Sequence, residues 1–185
     1  MEAKFSPRVK DLMRISREEA LRIKNESVGS EHLLLAIIKL KEGKAYQLLK
    51  EFELDLGVIT NDLEVILKQS ASNNSFQPSS IPLLKQAENI LKQSFLESKI
   101  FKSNVIGTEH ILLTILKYED CTACKVLNKY GIMYDNLKEE YITMSDSNKF
   151  PRAEFPGKEE DDDDAADAGP KRSSDSKSKT TYLDN

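Results

Sequence analysis

Residues 28–40, VGSEHLLLAIIKL, return 78 positions later as IGTEHILLTILKY, with seven of the thirteen positions identical. The same offset carries Leu12 and Met13 onto Ile90 and Leu91, Glu19 onto Glu97, Ala45 onto Ala123, Leu49 onto Leu127 and Phe52 onto Tyr130. A register held over so many positions marks a duplicated structural unit. It restricts the chain to folds built from two similar halves.

Each half reads as helices. Val9, Leu12, Met13, Ser16, Ala20 and Ile23 recur at three- to four-residue spacing, the stripe of an amphipathic helix. Gly29-Ser30 stops that helix and starts the next, with Ser30 as its N-cap and Glu31 in the first turn, where a carboxylate favours the positive helix end. The run Leu33–Leu34–Leu35–Ala36–Ile37–Ile38 is apolar on every face, so its helix belongs at the centre of the unit. Gly43 precedes a third helix over 44–52, and Asp55 or Asn61 opens a fourth ending near Lys68. The second copy gives helices near 82–101, 108–118, 121–130 and 134–144. The expected fold class is all-α, with four helices in each of two repeats. Repeat 1 spans 3–70, a linker 71–81, repeat 2 82–144 and a flexible tail 145–185.

The chain of 185 residues has a net charge of −4, and the tail carries all of it, with 11 acids against 7 bases from Ser145 onwards. The preceding 144 residues balance at 20 of each sign, which argues against a nucleic-acid partner because phosphate binding needs clustered excess cations. No apolar run is long enough for a membrane span. The charged N-terminus MEAKFSPRVKDLM is no signal peptide, so a cytoplasmic location is expected. Cys121 and Cys124 form a single C-x-x-C with neither a second pair for zinc nor a βαβ unit for redox chemistry, and a core position is expected for at least one. His32 and His110 each stand alone in their repeat, which favours half-buried helical histidines over metal ligands. Phosphate-loop, nucleophile-elbow and zinc-protease signatures are all missing, so a binding role without catalysis is expected.

The doubled [VI]G[ST]EH[LI]LL motif, after a helix opening Phe5-Ser6-Pro7-Arg8, resembles the Clp N-terminal repeat of the ClpA, ClpB and ClpC unfoldases, ClpC most of all. The closing TTYLDN resembles the segment before the first ATPase domain of that family, so the chain is read as a fragment ending at that boundary. The alternative is a free-standing accessory protein that modulates a Clp complex. The resemblance implies an all-α, eight-helix bundle of two pseudo-two-fold related four-helix repeats, an N-domain above a hexameric AAA+ ring that receives adaptors and unfolded or tagged substrates and passes them to a ClpP-type protease. It implies no cofactor in this chain, ATP belonging to the absent ATPase domains. It also implies recognition of phosphorylated arginine, for which Arg8, Glu31 and Glu109 are the candidate residues. Glu31 suits a guanidinium, while Arg8 and a helix N-terminus suit a phosphate; the plain alternative is a structural Glu31–Arg8 pair. At the second site Gln86 stands at the position of Arg8 and Leu84 at that of Ser6, so the Glu109 pocket is expected to be the weaker one.

Overall fold

The computed structural model describes residues 4–73 and 80–149, within a compact unit spanning Met1–Lys149. Of the expected tail 145–185, residues 145–149 are helical, continuing the last helix past its expected end at 144, and the rest, with its acidic run and TTYLDN ending, lies outside the described residues, as do 74–79 of the linker. The elements are β1 (Lys4–Phe5), α1 (Pro7–Ile23), α2 (Ser30–Leu40), α3 (Lys44–Glu51), α4 (Leu56–Gln69), α5 (Lys85–Ile100), β2 (Val105–Ile106), α6 (Thr108–Lys117), α7 (Thr122–Lys129) and α8 (Tyr134–Lys149). The eight helices fall into two matching sets of four, as the repeat requires.

Local chemistry starts and stops these helices. Ser6 caps α1 by accepting from Val9 N at 3.2 Å, with Pro7 in the first turn where its missing N–H costs nothing. Lys24 ends α1 in the left-handed conformation. Asp55 caps α4 through Gly57 N, which selects the earlier of the two expected starts. Among the described residues, α2 and α6 are the helices buried around their whole circumference, from Leu33 to Ile37 and from Ile111 to Leu116. They form the centre on which α1 and α5 pack most extensively.

The two repeats exchange their leading segments. β1 of the first repeat pairs in parallel with β2 of the second, Lys4 opposite Val105 and Phe5 opposite Ile106. Reciprocally, Leu83 bridges Val28, with Val28 N donating to Pro82 O at 2.9 Å and Leu84 N to Val28 O at 2.8 Å. This pairing corrects the expected helix over 82–101: residues 82–84 are extended and α5 begins at Lys85. Pro82 has no N–H to give a helix and suits an edge segment instead. Ser30 is corrected too. The N-cap of α2 is Gly29, and the Ser30 hydroxyl accepts from Ala123 N at the start of α7, 3.4 Å away. Thr108 does the same for Ala45 N at the start of α3, at 3.2 Å. Each central helix therefore caps a helix of the other repeat.

Candidate functional site

In both repeats the Gly-[Ser/Thr]-Glu-His motif folds the same way. The N–H of Gly29 donates to His32 Nδ1 at 3.0 Å, and that of Gly107 to His110 Nδ1 at 2.9 Å. The imidazole thus satisfies one of the amide groups a helix start leaves open. Both rings are buried outright, deeper than the half-burial expected, because they turn inward under the helix end. The acidic side chain between them turns back over the glycine. A Cβ on Gly107 would meet Glu109 Oε2 at 2.3 Å, and one on Gly29 would meet Glu31 Oε2 at 2.6 Å. The glycines serve this close approach of a carboxylate.

An Nδ1 that accepts puts the ring proton on Nε2. His32 donates it to Asn25 Oδ1 at 3.0 Å; Ser103 stands in place of Asn25 in repeat 2, and His110 Nε2 has no partner among the described residues. Burial pushes both histidines below their ordinary value of 6.5, against the opposing pull of Glu31 on His32 and Glu109 on His110. The unfolded chain therefore takes up protons first. Stability is full above about pH 6.5 and falls as pH drops below it towards the lowered folded values. The midpoint of thermal unfolding is expected to drop between pH 7 and pH 5, with imidazole ¹⁵N spectra holding the neutral Nε2–H form at about pH 6. An imidazolium signal at that pH in the folded protein would contradict this arrangement.

Two clefts open beside the two carboxylates. Glu109, buried to 6 % exposure, lines one of about 500 Å³, together with Ser6, Arg8, Glu42, Gly43 and Lys44 from repeat 1. Lys44 Nζ lies 4.0 Å from Glu109 Oε1, and Arg8 Nε lies 3.7 Å from Glu42 Oε2 with both of those side chains open to solvent. Gly43 holds this corner together: its φ is +90°, and a Cβ there would meet Thr108 Oγ1 at 2.9 Å and Arg8 Cδ at 3.2 Å. The N-terminus of α6 faces the same space. The second cleft, of about 370 Å³, is lined by Glu31, Glu26, Asn25, His32 and Leu84, and no Lys or Arg is among its lining.

This geometry corrects the expected pairing of Arg8 with Glu31. Strand exchange carries the start of α1 across to repeat 2, so Arg8 shares a cleft with Glu109, and Glu31 faces Leu84. The two clefts differ in charge, with both cations on the Glu109 side. Lys44, unforeseen from sequence, is the further cation. Its equivalent is Thr122 and that of Arg8 is Gln86, so the Glu31 side loses both cations together. That paired loss was visible in the aligned copies once it was known that the walls are exchanged.

Cys121 and Cys124 are free and both fully buried. Cys121 caps α7, its sulfur accepting from Cys124 N at 3.3 Å, and Cys124 Sγ donates to Leu116 O at 3.5 Å. Burial pushes both thiols up, away from the reactive thiolate.

The Clp repeat N-terminal domain model matches residues 4–130 and again 84–154. The chain belongs to this family. It is 26 % identical over 149 residues to the competence regulator ClpC/MecB of Bacillus subtilis and 26 % identical over 152 residues to the chaperone ClpB of Oceanobacillus iheyensis; each match covers 80 % of this chain and 18 % of the relative. A ClpA homologue of Trieres chinensis is 30 % identical over 146 residues, covering 79 % of this chain and 16 % of that one. The chain thus spans less than a fifth of the length of these curated relatives. Its Clp N-domain fold matches the Hsp104 N-terminal domain of Candida albicans with a TM-score of 0.65 at 21 % identity, over 78 % of this chain and 93 % of that one. The ClpV N-domain in complex with a VipB peptide matches at 0.60 and 17 % identity, over 77 % and 87 %. No helix among the described residues is long and apolar enough to cross a membrane.

Proposed function

We propose that this Clp N-domain is a non-catalytic docking module of a cytoplasmic, ClpC-like ATPase, receiving adaptor proteins and tagged or unfolded substrates for a hexameric ring working with a ClpP-type protease. We further propose that the Glu109 cleft takes a phosphorylated arginine side chain. The observation that carries this is the presence of both charge signs in one cleft. A phosphoarginine presents a guanidinium and a phosphate on one short arm. Glu109 and Glu42 suit the first, and Arg8, Lys44 and the open amides of α6 suit the second. The Glu31 cleft pairs its carboxylates with neutral polar groups and no Lys or Arg among the described residues, which disfavours a phosphate. In support of a docking role, a fold neighbour, the ClpV N-domain, is seen with a bound peptide.

Calorimetric titration with a phosphoarginine peptide tests this. Glu109→Ala and the pair Arg8→Ala/Lys44→Ala are each expected to weaken binding roughly tenfold or more, and Glu31→Ala less than about threefold. The unphosphorylated peptide should bind far more weakly. Equal losses from Glu31→Ala and Glu109→Ala, or no preference for the phosphorylated form, would overturn the assignment.

A further inference from the structure

A second groove lies between α4 and α7, away from both carboxylate clefts. Its volume is about 460 Å³, within the range of about 300–1,000 Å³ typical of ligand clefts. Val65, Ile66 and Val126 line it, flanked by Lys125, Lys129 and Asp62. Val65 is 58 % exposed, and Val58, two helical turns back on the same face of α4, is 43 % exposed. The groove is built by both repeats. Lys129 Nζ donates to Asp62 Oδ2 at 2.9 Å and the Tyr130 hydroxyl donates to the same oxygen, tying α7 to α4. That carboxylate is thereby neutralised, whereas Lys125 has no ion-pair partner among the described residues, and the rim is left positive.

The duplication supplies an internal control. At the equivalent positions of the other α-helical pair, α8 and α3, Thr143 stands for Val65, Gln47 for Lys125, Glu51 for Lys129 and Glu140 for Asp62. Met144 and Leu48 stand for Ile66 and Val126 and Lys44 for Thr122, so the same scaffold folds there with an apolar floor but without the exposed valine and with carboxylates at two rim positions. Neither the exposed valine nor the basic rim is a requirement of the fold, and an exposed apolar surface with no structural duty marks a contact site.

We infer that the α4–α7 groove is a separate docking site for an acidic amphipathic segment, its apolar side chains on Val65, Ile66 and Val126 and a carboxylate on Lys125, the lysine left unpaired while Lys129 holds Asp62. The inference rests on the docking role but not on phosphoarginine recognition. The choice of partner follows from charge: an apolar floor beside an unpaired lysine favours carboxylates and disfavours basic segments. Because the twin face lacks both features, one segment binds per chain.

The probe is a synthetic helical peptide with leucines at i, i+4 and i+7 flanked by glutamates, titrated into the ¹⁵N-labelled chain beside a control with lysine at every glutamate. Amide shifts are expected at Val65, Lys125 and Val126, with the glutamate peptide binding at least about tenfold more tightly. Val65→Thr, the twin's own residue, should weaken it roughly fivefold or more without altering the fold, and Lys125→Glu should remove the preference for glutamate. Shifts centred on the Glu109 cleft, indifference to Val65→Thr, or self-association of the chain that depends on Val65 would each overturn the site. A phosphoarginine peptide titrated in parallel separates the two ideas. Its failure with the glutamate peptide still on α4 and α7 removes only the phosphoarginine reading; its binding while the glutamate peptide leaves α4 and α7 unshifted removes only the groove.

Discussion

The first repeat on its own, residues 1–80, is expected to show no cooperative unfolding transition, whereas 1–149 is expected to unfold in one step. Length alone does not forbid the half from folding, since domains of this size often do. The obstacle is what each half borrows. α2 is buried around its whole circumference, and α5, α6 and α7 of the other repeat supply part of that cover. Baring even four aliphatic side chains costs on the order of 6–12 kcal/mol, as much as a domain's entire stability of about 5–15 kcal/mol. The backbone loses as well. β1 loses its partner strand, Val28 loses its bonds to Pro82 and Leu84, and Ala45 N loses the Thr108 hydroxyl. Urea titration followed by circular dichroism checks this, with a second arm in which 1–80 and 81–149 are mixed. Mixing is expected to restore helix content in a concentration-dependent way. A steep, two-state transition from 1–80 alone would show that the repeats are independent.

This exchange is also what the sequence concealed. The duplication, the helices and the burial of the EHLLL run were legible because they are local or periodic signals repeated in duplicate. The segments that cross between repeats, Lys4–Phe5 and Val105–Ile106, are two residues each and too short for any alternation to register. Charge complementarity suggests pairing Arg8 with Glu31, whereas the pairing of β1 with β2 puts the start of α1 beside Glu109. Ser30 has the chemistry of an N-cap, but Gly29 takes that place because His32 already caps the turn, leaving the hydroxyl for Ala123. In each case a tertiary partner overrode a sound local rule. Pro82, at the expected start of a helix, was the one residue that hinted at an extended segment there.

The same comparison of copies locates the ion pair on which stability most depends. Glu97 is 1 % exposed and is held by Lys117 Nζ and by the Tyr134 hydroxyl at 3.0 Å. Its twin Glu19 is held by Arg22 at 2.7 Å and Lys39 at 3.0 Å, and Arg22 also meets Glu64 at 2.6 Å. Ile100 and Ile142 occupy the places of Arg22 and Glu64 in repeat 2, so among the described residues Glu97 has a single cation. Lys117→Met is therefore expected to cost about 2–3 kcal/mol, less than the 3–5 kcal/mol of a fully buried pair because Lys117 is partly open to water. Lys39→Met should cost under about 1 kcal/mol, since Arg22 remains. The double change Lys117→Met/Glu97→Gln should recover most of the loss by removing the stranded charge. The sign with pH follows from Lys117. Burial works to lower its pKa, and the Glu97 hydrogen bond and charge outweigh burial and raise it above 10.5. The stabilisation is complete below 10.5 and is lost as pH rises through the higher folded value. The native protein should therefore lose stability at alkaline pH where the Lys117→Met variant does not. Urea midpoints across pH decide it: equal costs for Lys117→Met and Lys39→Met would mean that the buried carboxylate of Glu97 leans on Tyr134 rather than on the lysine.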